Sequence, residues 1–177
     1  MSEDGRAFDD LIAAVDPAMA IVTTTSGDER AGCLIGFHAQ CSITPHRYAV
    51  WLSKANHTFR VAVHARHFAV HFLSEDSERL PRLFGTVSGD ATDKFGLCAW
   101  EPGDGGVPLL TDCPNRFTAE RVALLDEGSD HVCLIVSPTA ASAHTPFRPL
   151  RLSQVEHLRP GHEAADRPLP AEERSRR

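Results

Sequence analysis

Residues Ile21 to Thr58 read IVTTTSGDERAGCLIGFHAQCSITPHRYAVWLSKANHT. Two strand-like runs flank the turn Ser26-Gly27-Asp28-Glu29. The second opens into a loop, Gly36 to Pro45, of small and polar residues ahead of a third strand, Tyr48 to Leu52. The polar segment Ser53-Lys54-Ala55-Asn56-His57-Thr58 follows. Phe59, Val61, Ala62 and Val63 then recur at helical spacing up to Ala65, with Asn56 positioned as a cap. A strand that gives way to a helix through such residues offers backbone N–H groups and the positive end of a helix dipole, which suits a phosphate-bearing ligand. Asn56 either caps that helix or meets such a ligand, and Lys54 is either solvated or joins it.

Upstream, Phe8, Leu11, Ile12 and Val15 are spaced for one face of a short helix that Pro17 ends, and its apolar stripe is expected to pack on the body of the protein. Strands are expected over Ala18–Thr25, Ala31–Phe37 and Phe68–Leu73, from their β-branched and aromatic content. Ser74-Glu75-Asp76-Ser77 suits the start of a helix running to Phe84, with Gly85 at its end. Gly89–Asp93 is a polar break, Lys94-Phe95 begins a short helix or turn, and Glu101–Gly106 reads as loop. Arg116–Asp126 and His131–Ser137 bracket Glu127-Gly128-Ser129-Asp130 as a hairpin, and a last strand is expected over Leu150–Leu158. From this follows one domain, 1–158, and a disordered tail, 159–177, rich in charge and proline.

The composition is 42% hydrophobic and 24% charged over 177 residues, which is ordinary for one globular domain. A net charge of −6 argues against nucleic acid or an acidic membrane surface as partner. The acidic start MSEDGRAFDD has no basic segment leading into an apolar one, and no apolar run approaches a membrane span, so a cytoplasmic protein is expected. Cys33, Cys41, Cys98, Cys113 and Cys133 include no C-x-x-C pair and read as reduced thiols, four of them small buried hydrophobes, with Cys41 set apart in the polar loop. His64, His67 and His71 present no helical i, i+4 pair, so no metal site is read there. Arg66, Arg79, Arg82 and Arg121 read as solvated charges. No P-loop, G-x-S-x-G or G-x-G-x-x-G occurs, which removes phosphoryl transfer, the common hydrolases and a Rossmann unit.

The ordered set Val22-Thr23-Thr24, Gly32, Ser42-Ile43-Thr44-Pro45, Lys54-Ala55-Asn56-His57-Thr58, Phe68–Leu73, Asp93-Lys94-Phe95 and Ser129-Asp130-His131 resembles the flavin reductase-like family over about Phe8 to Leu152. The resemblance implies a mainly β protein, a six-stranded antiparallel FMN-binding split barrel with short peripheral helices. It also implies hydride transfer from NAD(P)H to flavin, FMN foremost with FAD or riboflavin as alternatives, a homodimer, and service as reductase to a partner monooxygenase.

On this resemblance Ile35, Gly36, Phe37, Cys41 and Ser42 lie along the flavin ring, Gly36 allowing close backbone approach. Ser53, Lys54, Asn56, His57 and Thr58 meet the phosphate end. His131 stands beside nicotinamide and flavin in a positional or electrostatic role, or else is a structural residue at a strand start. The family often has Asn-Ser-Phe and Ser-Val-Ser where this chain has Gly36-Phe37-His38 and Gln40-Cys41-Ser42, which keeps a deazaflavin in view. An oxidoreductase acting on an organic substrate, and a flavin carrier or sensor without turnover, are the rival readings.

Overall fold

Ser26 and Glu29 face each other across Gly27-Asp28, and Gly27 turns at φ 59, a conformation glycine adopts without strain. That hairpin joins β1 (Ala20–Ser26) to β2 (Glu29–Ile35). The computed structural model describes residues 3–161, and among them no helix is long and apolar enough to cross a membrane. Of the expected tail, residues 162–177 lie outside the described residues.

After β2 come β3 (His38–Ser42), β4 (Arg47–Ser53), β5 (His67–Phe72), β8 (Arg116–Leu125) and β9 (His131–Ser142). They form one seven-stranded antiparallel sheet in the order β2-β1-β5-β8-β9-β4-β3. The mainly β class is as expected, with seven strands in place of six. The sheet curls, so that β2 at one end of the order touches β4 near the other. β3, expected as loop, is an edge strand exposed along its middle residues, so it carries no inward apolar row to betray it. A separate ribbon pairs β6 (Trp100–Pro102) with β7 (Pro108–Leu110), taking Glu101 and Pro102 out of the expected loop.

Both faces of β1 are buried, and side chains alternate between two cores. Ala20 and Val22 join Val50, Leu52, Phe68, Val70 and Leu134 inside the curl. Met19 and Ile21 join Leu73, Leu80, Phe84, Phe95 and Leu110 outside it. Helix α2 (His57–Ala62) plugs the inner core with Phe59 and Ala62, capped by Asn56, whose side chain accepts the Thr58 N–H. The other end of α2 is held by Arg121, which donates to the Val63 carbonyl at 2.6 Å, and Arg79 donates to the Leu97 carbonyl. Neither arginine is a merely solvated charge. Arg66 forms an exposed pair with Glu120.

Helix α3 (Arg79–Thr86) starts later than the serines and acids that suggested it. Glu75 N–H instead donates to the Arg148 carbonyl, tying that turn to the C-terminal segment. Gly85 lies inside α3, where a Cβ would come 3.0 Å from Leu34. The expected last strand is a bridge at Arg151 followed by helix α4 (Leu152–Val155). Helix α1 (Glu3–Val15) does not bury its stripe: Phe8, Leu11 and Val15 are 62%, 67% and 70% exposed. All five cysteines are unpaired; Cys33 and Cys113 are buried and Cys41 is exposed.

Candidate functional site

The ends of β2, β4 and β9 converge with α3 and the C-terminal segment on a cavity of about 630 Å³. Ile35, Gly36 and Phe37 enter it from the end of β2, Ser53 from the end of β4, Asn56 from the cap of α2, and His131 from the start of β9. The register brings two of these together directly, since Ser53 faces His131 across the β4–β9 pair. Gly36 is tight against its neighbours, for a Cβ there would lie 3.3 Å from the Met19 sulfur.

His131 is held on two sides. Its Nδ1 is 2.9 Å from Asp130 Oδ1, and its ring meets the Phe37 ring edge-on with centroids 5.2 Å apart. The hydrogen bond from His131, and then its charge, hold the Asp130 carboxyl below the usual carboxylate range. Asp130 in turn accepts the Lys54 N–H on its main-chain oxygen at 2.9 Å. Main-chain bonds therefore fix this corner.

Five other expected ligand-binding residues do not line the cavity. Cys41 and Ser42 lie on β3 and are not among the cavity's lining residues. Lys54 is buried and turns to Asp126, Nζ to Oδ1 2.8 Å. Thr58 is 1% exposed, and its Oγ1 makes no hydrogen bond. His57 turns the opposite way, into a second, polar cleft of about 370 Å³ shared with Glu29, Arg30, Asp90 and Lys94. There its Nδ1 is 3.1 Å from Asp90 Oδ1 and 2.8 Å from the Arg60 guanidinium, which also pairs with Asp90.

Several lining residues escaped the sequence reading: Trp51, Leu34 and Phe84, and Leu152, Val155 and Glu156 from the C-terminal segment. The i, i+3 spacing of Leu152, Val155 and Leu158 is a helical signal, and it was available beneath the strand reading. The segment is anchored by Asp16, whose carboxylate accepts from Ser153 N–H and Oγ, each at 2.8 Å, while Leu152 N–H donates to the Pro17 carbonyl at 3.0 Å. The Ser153 bonds hold the exposed Asp16 carboxyl below its ordinary pKa.

The cavity thus has apolar walls, a polar corner of Ser53, Asn56 and the His131–Asp130 pair, and Glu156 from the C-terminal segment, with no lysine or arginine among its lining residues. A curled antiparallel sheet opening on such a cavity defines a mainly β protein with a concave, largely apolar pocket. The sequence profile of the flavin reductase like domain matches residues 14–157, and the chain belongs to that family. It is 31% identical over 151 residues to FMN reductase (NADH) SmoA of Agrobacterium fabrum, spanning 85% of this chain and 83% of that protein. It is 27% identical over 139 residues to the 4-hydroxyphenylacetate 3-monooxygenase reductase component of Klebsiella oxytoca, spanning 76% and 80%. The solved structure of the NADH:FAD oxidoreductase SgcE6 of Streptomyces globisporus has the same fold, with a TM-score of 0.74 at 19% identity over 83% of this chain and 87% of that one.

Proposed function

We propose that this chain is an NAD(P)H-dependent flavin reductase that takes FMN into the 630 Å³ cavity. The observation that carries this reading is the meeting of apolar walls with the donors Ser53 and Asn56 near Gly36, within a chain of this family. The residues present fit such a group by their chemistry. Leu34, Phe84, Trp51 and Leu152 offer surfaces for a flat ring, Gly36 admits close backbone approach, and Ser53 and Asn56 are donors for the polar chain and phosphate. Lys54 and Thr58 support that corner from behind, Lys54 through its pair with Asp126 and Thr58 through its N–H bond to Asn56.

When bound, flavin supplies the acceptor for the hydride of a reduced nicotinamide. The protein's part is to align two rings and exclude water. His131, fixed by Asp130 and Phe37, is a positioning group at the cavity mouth. The relative named as a monooxygenase reductase component supports a partner monooxygenase that consumes the reduced flavin. The exposed stripe of α1 supports a homodimer.

Anaerobic mixing of the purified protein with FMN and NADH or NADPH tests the reading. Loss of the flavin absorbance band at a rate set by the protein is expected. A flavin that binds and keeps its colour with both nicotinamides would make the chain a carrier, and no binding would point to another coenzyme.

A further inference from the structure

Lys94 opens the single turn Lys94–Leu97 and is 5% exposed. Its Nζ donates to the main-chain oxygen of Gly32 at 3.0 Å and of Phe84 at 3.5 Å, and lies 5.5 Å from the centre of the Phe84 ring. Among the described residues no carboxylate pairs with it. The neighbouring Asp93 carboxylate is committed to the Phe95 N–H at 3.0 Å. A buried ammonium held by carbonyl oxygens alone is expensive to keep, and such groups concentrate where a charge is needed. Burial pulls its pKa below the ordinary lysine value, and the nearby Cys33 acts in the opposite direction.

Phe84, which carries Lys94 against its ring, lines the 630 Å³ cavity, and so does Cys33, next in chain to the Gly32 that holds the ammonium. The cation therefore stands directly behind one cavity wall, with the polar cleft of Glu29 and Asp90 on its other side; at 5% exposure its field is screened less than that of a surface charge. We propose that Lys94 is an electrostatic residue of the flavin site, whose fixed charge behind the Cys33–Phe84 wall favours the reduced, anionic flavin over the oxidised form. This rests on the flavin reading above. Hydride, a proton with two electrons, leaves the nicotinamide, which becomes cationic, and adds one negative charge to a neutral flavin ring. The phosphate charge is common to both oxidation states, so a ratio of affinities isolates the charge on the ring. A preformed cation stabilises that charge without reorganising at the moment of transfer.

Dissociation constants for FMN and for dithionite-reduced FMN, measured anaerobically on wild type, Lys94→Gln and Lys94→Arg, decide it. Lys94→Gln keeps an N–H donor without charge. Its affinity for FMN is expected to stay within about twofold while that for reduced FMN falls roughly tenfold, equivalent to about 30 mV in the bound potential, and Lys94→Arg restores the ratio. Lys94→Met serves in the same comparison where the Gln variant does not fold. Equal loss for both oxidation states would reduce Lys94 to a brace between β2 and α3 and overturn the proposal. Failure of wild type to bind either form would overturn the flavin reading instead.

Discussion

His71 has no solvent exposure, and both its ring nitrogens are committed: Nδ1–H donates to the Ile21 carbonyl at 3.3 Å, and Nε2 accepts the Leu110 N–H at 3.0 Å. The ring must be neutral to do both. Burial pulls its pKa from 6.5 to about 3. Between those values the unfolded chain binds a proton that the folded chain refuses, so stability rises with pH across the window and is lost as pH falls from about 6.5 toward 3. Urea unfolding at stepped pH should show this slope. His71→Gln should flatten it while costing about 1–3 kcal/mol at neutral pH through unsatisfied partners. Lys54 and Asp126, 10% and 11% exposed at their side chains, form the other residue-scale commitment, and Lys54→Met should cost about 1–3 kcal/mol in the same assay by removing the cationic partner of a carboxylate that also accepts the Gly128 N–H at 2.9 Å. Asn56 caps α2 and, in the reading proposed above, also meets the flavin; substitution separates the two. Asn56→Ser keeps a cap and Asn56→Ala removes one, at about 1 kcal/mol, yet both should weaken FMN binding in a fluorescence titration. The capping role was legible in Asn56 followed by an apolar helix; the burial of Lys54 was not, because its partner Asp126 lies just past the end of β8, far along the chain.

Among the elements, α4 shows how a short segment misleads. Leu150–Leu158 has the apolar content of a strand, and isolated bridges do form at Pro149 and Arg151, but the carboxylate of Asp16 binds Ser153 and starts a helical turn. Four residues of helix have little stability of their own, so this clamp and the packing of Val155 decide the structure. Asp16→Ala should therefore accelerate amide hydrogen exchange over residues 152–158, read by mass spectrometry, with β1 and β5 unchanged. β3 was invisible for the opposite reason: paired on one edge only and exposed along its middle residues, it needs no apolar alternation. β8 and β9 carry that alternation, while β1 and β5, buried on both faces, were legible from their β-branched and aromatic content, as was the hairpin whose Gly128 turns at φ 88.

On the scale of the whole molecule, the feature that the described residues leave unpartnered is the stripe Phe8, Leu11, Ile12 and Val15 on α1. Monomers rarely expose contiguous apolar patches beyond a few hundred Å². With the homodimer proposed above, Phe8→Asp combined with Leu11→Asp should halve the mass seen by sedimentation equilibrium. The urea midpoint of the separated chain should move little, because neither side chain packs in either core. What the sequence determined by itself was local: period-two alternation gives strands, glycine at a tight turn gives hairpins, a polar residue before an apolar turn gives a capped helix, and an ordered run of motifs gives the family. Only the tertiary structure decided that Gly36, Phe84, His131 and Val155 share one cavity, that His57 faces another, and that the Lys94 ammonium stands buried behind the wall between. The physical reason is that periodicity reports which faces of an element are apolar, whereas what covers each face depends on contacts between residues far apart in the chain.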